Sequence, residues 1–300
     1  VVYPDEYERF VSTVAFSNVD FGFLLSSFCI VKTNFYDRLL IATIGPLILL
    51  FAFGCTFTIA KRRNQNSEAA VATVKHRHLS TILFVTFILY SSVSFTIFQT
   101  FICDALDDGG EYLRADFSIS CKTKEYTMYM RYAYCMVGIY PVGIPAVFGW
   151  WLVWNRRHLK TSERETMAHL KAFRGLWATY RPSRYYYEIV EYSRRIVLTG
   201  AAVFVLPGSS AQIAAILLLA VVFLFISECL TPFDSTYDMW LYRWGNAIIL
   251  ASMYVALLLS VEVTEDGNPG THAVAALLIS ANVILVFAVV VQSALAVKGV

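Results

Sequence analysis

The chain has 300 residues, of which 57% are hydrophobic and 15% are charged, with a formal net charge of +2. Soluble domains carry about 25% charged residues, and a soluble fold of this size could not hide so much apolar surface. The composition excludes an ordinary soluble protein, and the continuous apolar runs favour helices over membrane strands. We therefore predict an all-α polytopic membrane protein with about seven transmembrane helices and one basic amphipathic cytoplasmic helix.

Residues 1–38 are predicted to form a segment that precedes a helical membrane domain at 39–297. Within residues 1–38, the apolar stretch 8–31 is interrupted by Asn18, Asp20 and several serines, so we expect an amphipathic or re-entrant helix on the outer side. An eighth crossing is the alternative, and it would put residue 1 inside. Because the chain lacks an initiator Met and a signal peptide, we expect further sequence upstream.

Seven apolar segments follow, each near or above the roughly 20 residues that cross a bilayer core. They are predicted at 39–60, 79–101, 127–154, 187–206, 211–229, 240–260 and 272–297.

Lysine and arginine are concentrated in alternate loops. Loop 61–78 holds five and 155–186 holds eight, whereas loop 102–126 holds three. Since basic loops stay in the cytoplasm, we expect the N-terminal segment and loop 102–126 outside and the C-terminus inside. The expected location is the plasma membrane or a ciliary membrane.

The loop at 102–126 is polar and contains two cysteines. On an oxidising outer side, a disulfide between Cys103 and Cys121 is expected, with Cys29 as the rival partner. It would close 17 intervening residues, worth about 3 kcal/mol on the chain-entropy model. Turn residues mixed with apolar ones predict a folded cap on the helix ends, with its acids facing solvent or an outside partner. These acids are Asp104, Asp107, Asp108, Glu111 and Asp116.

The third predicted span contains Pro141, Gly143 and Pro145, which predict a bent or locally unwound helix. Carbonyls freed by proline must be satisfied by neighbouring groups. Such a bend lines a ligand or ion path in some proteins and serves close helix packing in others, and both interpretations stay open. The span ends in an aromatic belt typical of the membrane interface, formed by Trp150, Trp151 and Trp154 and followed by Arg156 and Arg157.

Two further features lie between the third and fifth spans. Apolar residues recur at helical spacing over 162–180 between lysine and arginine, which predicts the amphipathic helix on the inner membrane surface and a contact with anionic lipid. The fourth span begins with four charged residues whose spacing allows pairing on one face. A gating network and an ion pair that fixes helix depth are the two interpretations. The residues are Glu188, Glu191, Arg194 and Arg195.

Pro232 is predicted to end the fifth span, and Glu228 is predicted to join a local charge network with Arg243. No GxxxxGK[ST], HExxH or GxSxG motif occurs, and the five histidines are scattered. We therefore predict neither catalysis nor a metal or cofactor site, and nothing indicates a nucleic-acid partner.

Four segments occur in a fixed order along the chain: "CDALDDGGEYLRADFSISC", "YPVGIP", "YYYEIVEYSRR" and "TPFD". Together they resemble the C-terminal multi-span region of large algal and oomycete surface proteins. Those proteins are labelled TRP-like or polycystin-like and often carry cysteine-rich or EGF-like ectodomains. The resemblance covers roughly 15–260. It implies an outer loop of Cys103, Asp104, Asp108, Gly109, Tyr112, Leu113, Asp116 and Cys121, a bend at Pro141, Gly143 and Pro145, and a charged start of the fourth span at Glu188, Arg194 and Arg195.

The resemblance implies a cation-channel-like or mechanosensory membrane subunit. The loop 261–271, however, has only 11 residues, too few for the pore helix and filter that lie between the last two spans of TRP channels. The alternative is therefore a non-conducting anchor or receptor module that holds an ectodomain or an extracellular assembly. The expected partners are the lipid bilayer, anionic lipid at the inner face, and other membrane or extracellular subunits.

Overall fold

The computed structural model describes residues 34–64, 67–106, 109–204 and 210–260, together with 277, 279–285, 287–288 and 291. These residues divide into two compact units, one of 34–203 and one beginning at 204. The predicted segment 8–31, Cys29, Asp107 and Asp108 lie outside the described residues.

The first unit begins with two long helices, a small sheet and an interrupted third helix. Asn34 caps the first helix by a capping box with Asp37, so this helix begins four residues before the predicted span. The elements in chain order are α1 (Phe35–Arg63), α2 (Glu68–Gln99), β1 (Cys103–Ala105), β2 (Glu111–Leu113), β3 (Asp116–Ser120), α3 (Lys124–Val137), a π-helical segment (Gly138–Gly143) and α4 (Ile144–Trp154).

Short helical turns and one longer helix complete this unit. They are α5 (Arg156–Leu159), a 3₁₀ turn (Ser162–Glu165), α6 (Ala168–Lys171), two further 3₁₀ turns (Arg174–Leu176 and Pro182–Arg184) and α7 (Tyr187–Phe204). The single amphipathic helix predicted over 162–180 is not formed. Its apolar residues Leu170, Leu176 and Trp177 are buried against Leu83 of α2 and Leu152 of α4 instead of facing a membrane.

The order of the elements gives the first unit two distinct ends. The sheet follows α2 and precedes α3, and the start of α1 reaches it as well, so these three helix termini share what we call the sheet end. The end of α1 at Arg63, the start of α2 at Glu68 and the connection 155–186 lie at the opposite end. Antiparallel pairing in the order β1-β2-β3 buries Leu113 and Ile119 in the same core as Phe35 and Leu39 of α1.

The second unit contains α8 (Ser210–Leu230) and α9 (Thr236–Ser260). As predicted, α8 ends before Pro232, and the turn places Thr231 at a φ of 38°. The Arg243 Nε donates to Glu228 Oε1 at 2.7 Å, which confirms that pair of the predicted network. Described residues 279–285, inside the last predicted span, are helical.

Among the described residues, five helices are long and apolar enough to cross a membrane. They lie at Phe35–Arg63, Ala69–Gln99, Lys124–Trp154, Ala211–Leu230 and Thr236–Leu258. The helical membrane class is thus supported, and five of the seven predicted spans have a matching helix. The predicted span 187–206 is helical through Phe204 but stands outside this group, since four charged residues lie in its first three turns. Much of 272–297 lies outside the described residues.

Candidate functional site

The predicted bend takes the form of the π-helical segment between α3 and α4 rather than an unwound stretch. Pro141 has no N–H for the usual bond to the carbonyl four residues earlier. In a π-helix each carbonyl pairs with the N–H five residues later. The carbonyl that would have paired with Pro141 in an α-helix can therefore pair with the residue after it. The tight backbone needs Gly143, because a Cβ there would lie 2.7 Å from the carbonyl oxygen of Gly138.

Tyrosine hydroxyls satisfy backbone carbonyls around this segment. Pro145 cannot donate to the carbonyl of Pro141, and the hydroxyl of buried Tyr90 on α2 donates to it at 3.1 Å. Within the segment, Tyr140 donates its hydroxyl to the carbonyl of Thr43 at 2.5 Å, one turn before Pro46 of α1. The Tyr90 hydroxyl thus replaces the helical hydrogen bond that Pro145 cannot make, and the Tyr140 hydroxyl ties the segment to α1.

The start of α7 carries a buried ion pair. Glu191 is only 8% exposed, and both nitrogens of the Arg194 fork donate to its carboxylate, with Nε at 3.0 Å. The Nε of Arg195 lies 3.5 Å from the same carboxylate. The pairing expected from i,i+3 and i,i+4 spacing is therefore present.

Glu188 has a different partner from the one its spacing suggested. It is 6% exposed and accepts a hydrogen bond of 2.7 Å from the hydroxyl of Tyr180, which lies before α7. Burial and then the nearby Glu188 carboxylate raise the pKa of Tyr180 well above its ordinary value, so this hydroxyl stays protonated and donates. We call Tyr180, Glu188, Glu191, Arg194 and Arg195 the charged cluster.

Aromatic rings connect the charged cluster to the bend. Tyr192 is 2% exposed and meets the ring of Tyr90 edge to face, with centroids 4.7 Å apart. Phe148 of α4 lies against Tyr192 at 5.7 Å, and the guanidinium of Arg195 lies 4.0 Å from the centre of the Phe87 ring. Tyr90 thus contacts both the π-helical segment and α7.

The sheet end is closed covalently and by polar contacts. Cys103 and Cys121 form a disulfide, as predicted. Asp116 accepts a hydrogen bond of 3.1 Å from the N–H of Phe35 at the start of α1. The Tyr126 hydroxyl of α3 donates to the Thr100 carbonyl at 2.9 Å. These contacts tie the ends of α1, α2 and α3 together.

The described acids of this loop have partners within the protein, and Glu111 is exposed to solvent as well. Arg114 donates to both oxygens of Asp104, and this hydrogen bonding is the first cause that lowers the pKa of Asp104. Lys122 Nζ lies 3.6 Å from Glu111 Oε1. The negative charge of the loop is therefore partly neutralised.

The aromatic belt is split between two faces of α4. Trp150 and Trp154 are exposed, with their ring centroids 5.8 Å apart. Trp151, which the sequence grouped with them, packs on Phe173 at 4.2 Å. It is half-buried against the core cluster at the end opposite the sheet.

Sequence reasoning missed Tyr90, Tyr180 and Tyr192 as members of the site. Tyr180 stands near a run of tyrosines, but nothing in a single sequence shows which hydroxyl reaches a carboxylate. Within the part of the chain that the structure describes, no three His, Cys, Asp or Glu residues are grouped as a metal site requires.

Comparison with known proteins adds no assignment: none of the family models, curated proteins or solved structures compared with the chain matches it. The resemblance to TRP-like surface proteins stays a prediction.

Proposed function

We propose that the chain is a mechanosensory, cation-channel-like membrane subunit, placed in the plasma or a ciliary membrane with the sheet end outside. The observation that carries this proposal is the π-helical segment at Gly138–Gly143, held between a braced sheet end and a buried charged cluster. Such segments inside α-helices are frequent at functional sites.

The contacts on either side give the segment its proposed role. The disulfide and the Asp116 contact fix the ends of α1, α2 and α3. The hydrogen bond from Tyr180 to Glu188 and the contact of Arg195 with the Phe87 ring of α2 hold the start of α7. Between them, Tyr90 bonds the segment through its hydroxyl and packs on α7 through its ring. Membrane tension that displaces the helices would act on this region, where side chains replace backbone hydrogen bonds.

The proposed ion path lies between copies of the chain. The core of the first unit is filled by apolar and aromatic side chains such as Leu39, Ile97 and Tyr140, which leaves little room for a hydrated route there. Large apolar side chains are exposed along the helices, for example Phe51 at 75% and Phe84 at 64%. These faces are available to lipid or to neighbouring copies.

Tension-clamped recording tests this proposal. Purified protein reconstituted in liposomes should pass cation current when the patch is stretched. Gly143→Ala would force the segment to shift, since the new Cβ meets a carbonyl oxygen at 2.7 Å, and should change the tension threshold. Gly138→Ala is the matched control in the same segment, because a Cβ there meets nothing within 4 Å. Wild-type patches that stay silent up to lysis would refute conduction.

A second candidate is a non-conducting anchor or receptor module. The engaged acids Asp104, Glu111 and Asp116 favour it, because a braced loop offers less negative charge to attract cations. A structure of the purified assembly separates the two candidates. A symmetric oligomer with a hydrated axis supports the channel, and a lone bundle bound to extracellular chains supports the anchor.

The proposed orientation has its own test. Lys122 at the sheet end and Lys160 at the opposite end are both exposed. In a background without other free cysteines, Lys122→Cys should react with a membrane-impermeant maleimide on intact cells. Lys160→Cys should react only after permeabilisation. The reverse labelling pattern would show that the proposed orientation is wrong.

A further inference from the structure

A groove lies at the C-terminal end of α4, on the outside of the first unit. It has a volume of about 580 Å³ and is lined by Trp150, Val153, Trp154, Arg156 and Arg157. This volume falls in the range of small-molecule sites, roughly 300–1,000 Å³. The groove is separate from the bend and from the charged cluster.

One wall of the groove is apolar and continuous with a helix long enough to cross a membrane. Trp150 is 64% exposed, Val153 is 56% exposed and Trp154 is 76% exposed. At positions i, i+3 and i+4 these residues share one helix face, and Val147, 59% exposed, extends it toward the middle of the helix. Leu152, on the other face, is fully buried. The exposed face is therefore positioned to contact an acyl chain.

The other wall is cationic. Arg156 and Arg157 are exposed and begin α5, one residue after the end of α4. The ion pairs found among the described residues engage Arg114, Lys122, Arg194, Arg195 and Arg243, and none of them includes Arg156 or Arg157. Guanidinium groups match phosphate oxygens with paired hydrogen bonds.

From this arrangement we infer that the groove binds an anionic phospholipid, with the phosphate between Arg156 and Arg157 and an acyl chain along Trp150 and Trp154. A soluble anion would use the arginines but not the apolar wall. A neutral lipid would use the wall and leave two positive charges without a counter-charge. An anionic phospholipid complements both walls, and it sits where indole rings favour the membrane interface.

Native mass spectrometry of the purified chain in micelles tests the inference with phosphatidylglycerol and with phosphatidylcholine of the same acyl chains. The protein should retain phosphatidylglycerol in preference to phosphatidylcholine. Replacing both arginines, Arg156→Gln with Arg157→Gln, should weaken its binding about thirtyfold, the effect expected for two basic residues near anionic lipid. The matched control is Arg62→Gln with Arg63→Gln, an exposed basic pair in the last turn of α1, and it should leave binding unchanged.

Further variants separate the lipid from other occupants. Trp150→Ala with Trp154→Ala should weaken the binding of the lipid but leave any binding of glycerol phosphate unchanged. Trp150, Trp154, Arg156 and Arg157 are exposed, so the tryptophan variant and the Arg156 and Arg157 variant should both keep the wild-type unfolding temperature. The rise in that temperature on adding phosphatidylglycerol gives a second measure of binding. The inference is overturned if the Arg62 and Arg63 variant loses as much lipid, if phosphatidylcholine binds equally, or if glycerol phosphate displaces the lipid. It is also overturned if the tryptophan variant abolishes self-association while lipid binding persists.

Discussion

The hydroxyl of Tyr90 is expected to stabilise the fold through the Pro141 carbonyl. Tyr90→Phe keeps the ring, and with it the contact to Tyr192, but removes the donor at 3.1 Å. Tyr90 is 1% exposed, so water does not replace the lost bond. An unsatisfied buried carbonyl costs about 1–3 kcal/mol, whereas hydrogen bonds inside membrane bundles average about 0.6 kcal/mol. We expect a loss of about 1–2 kcal/mol in the free energy of unfolding.

Equilibrium unfolding of the purified protein in mixed micelles measures this loss. Tyr134→Phe is the matched control, because Tyr134 is 61% exposed and its ring contact with Phe101 survives the change. Pro145→Ala supplies the N–H that the Pro141 carbonyl lacks, so Tyr90→Phe should cost less in that background. Equal costs in both backgrounds, or a loss no greater than that of Tyr134→Phe, would refute the assignment of this bond.

Three further predictions concern the two ends of the first unit. Cys121→Ser should lower the free energy of unfolding by about 3 kcal/mol and abolish its sensitivity to reductant; a variant that still responds to reductant would contradict this. Arg114 lowers the pKa of Asp104, so their pair contributes fully above about pH 4 and its contribution is lost as pH falls through the lowered pKa. Arg114→Gln should remove this part of the acid dependence in a thermal melt. Glu191→Gln should lower the free energy of unfolding by about 1–3 kcal/mol, because it leaves Arg194 without its carboxylate. Replacing both residues with leucine should lower it by less than the sum of the two single changes. An additive loss would exclude the pair.

The helices of this protein were predictable because long apolar runs need no distant partner to be recognised. The Glu191–Arg194 pair was predictable for a similar reason, since helical spacing brings the two residues together. The disulfide followed from two cysteines that bracket one polar loop. In each case the information lies within a short stretch of sequence.

The parts that sequence reasoning missed depend on distant contacts. The strands have three to five residues, too few for an alternating pattern to stand out. Over 162–180 the helical spacing was real, but Trp177 donates its Nε1–H back to the Leu170 carbonyl at 3.2 Å and folds the segment onto itself. Tyr90 and Pro141 are 51 residues apart, so only tertiary structure brings that hydroxyl to the bend.

The closure of the sheet end restricts how the first unit can deform. One covalent bond and the hydrogen bonds of Asp116 and Tyr126 hold three helix termini at this end, while the other termini are joined by the connections 64–67 and 155–186. Helices that are held together at one end move apart by rotating about that end, as far as the connections at their other end allow. A given angular change then produces a displacement that grows with distance from the sheet, at about 1.5 Å of lever arm per residue, and is greatest at the end where the basic connection 155–186 lies.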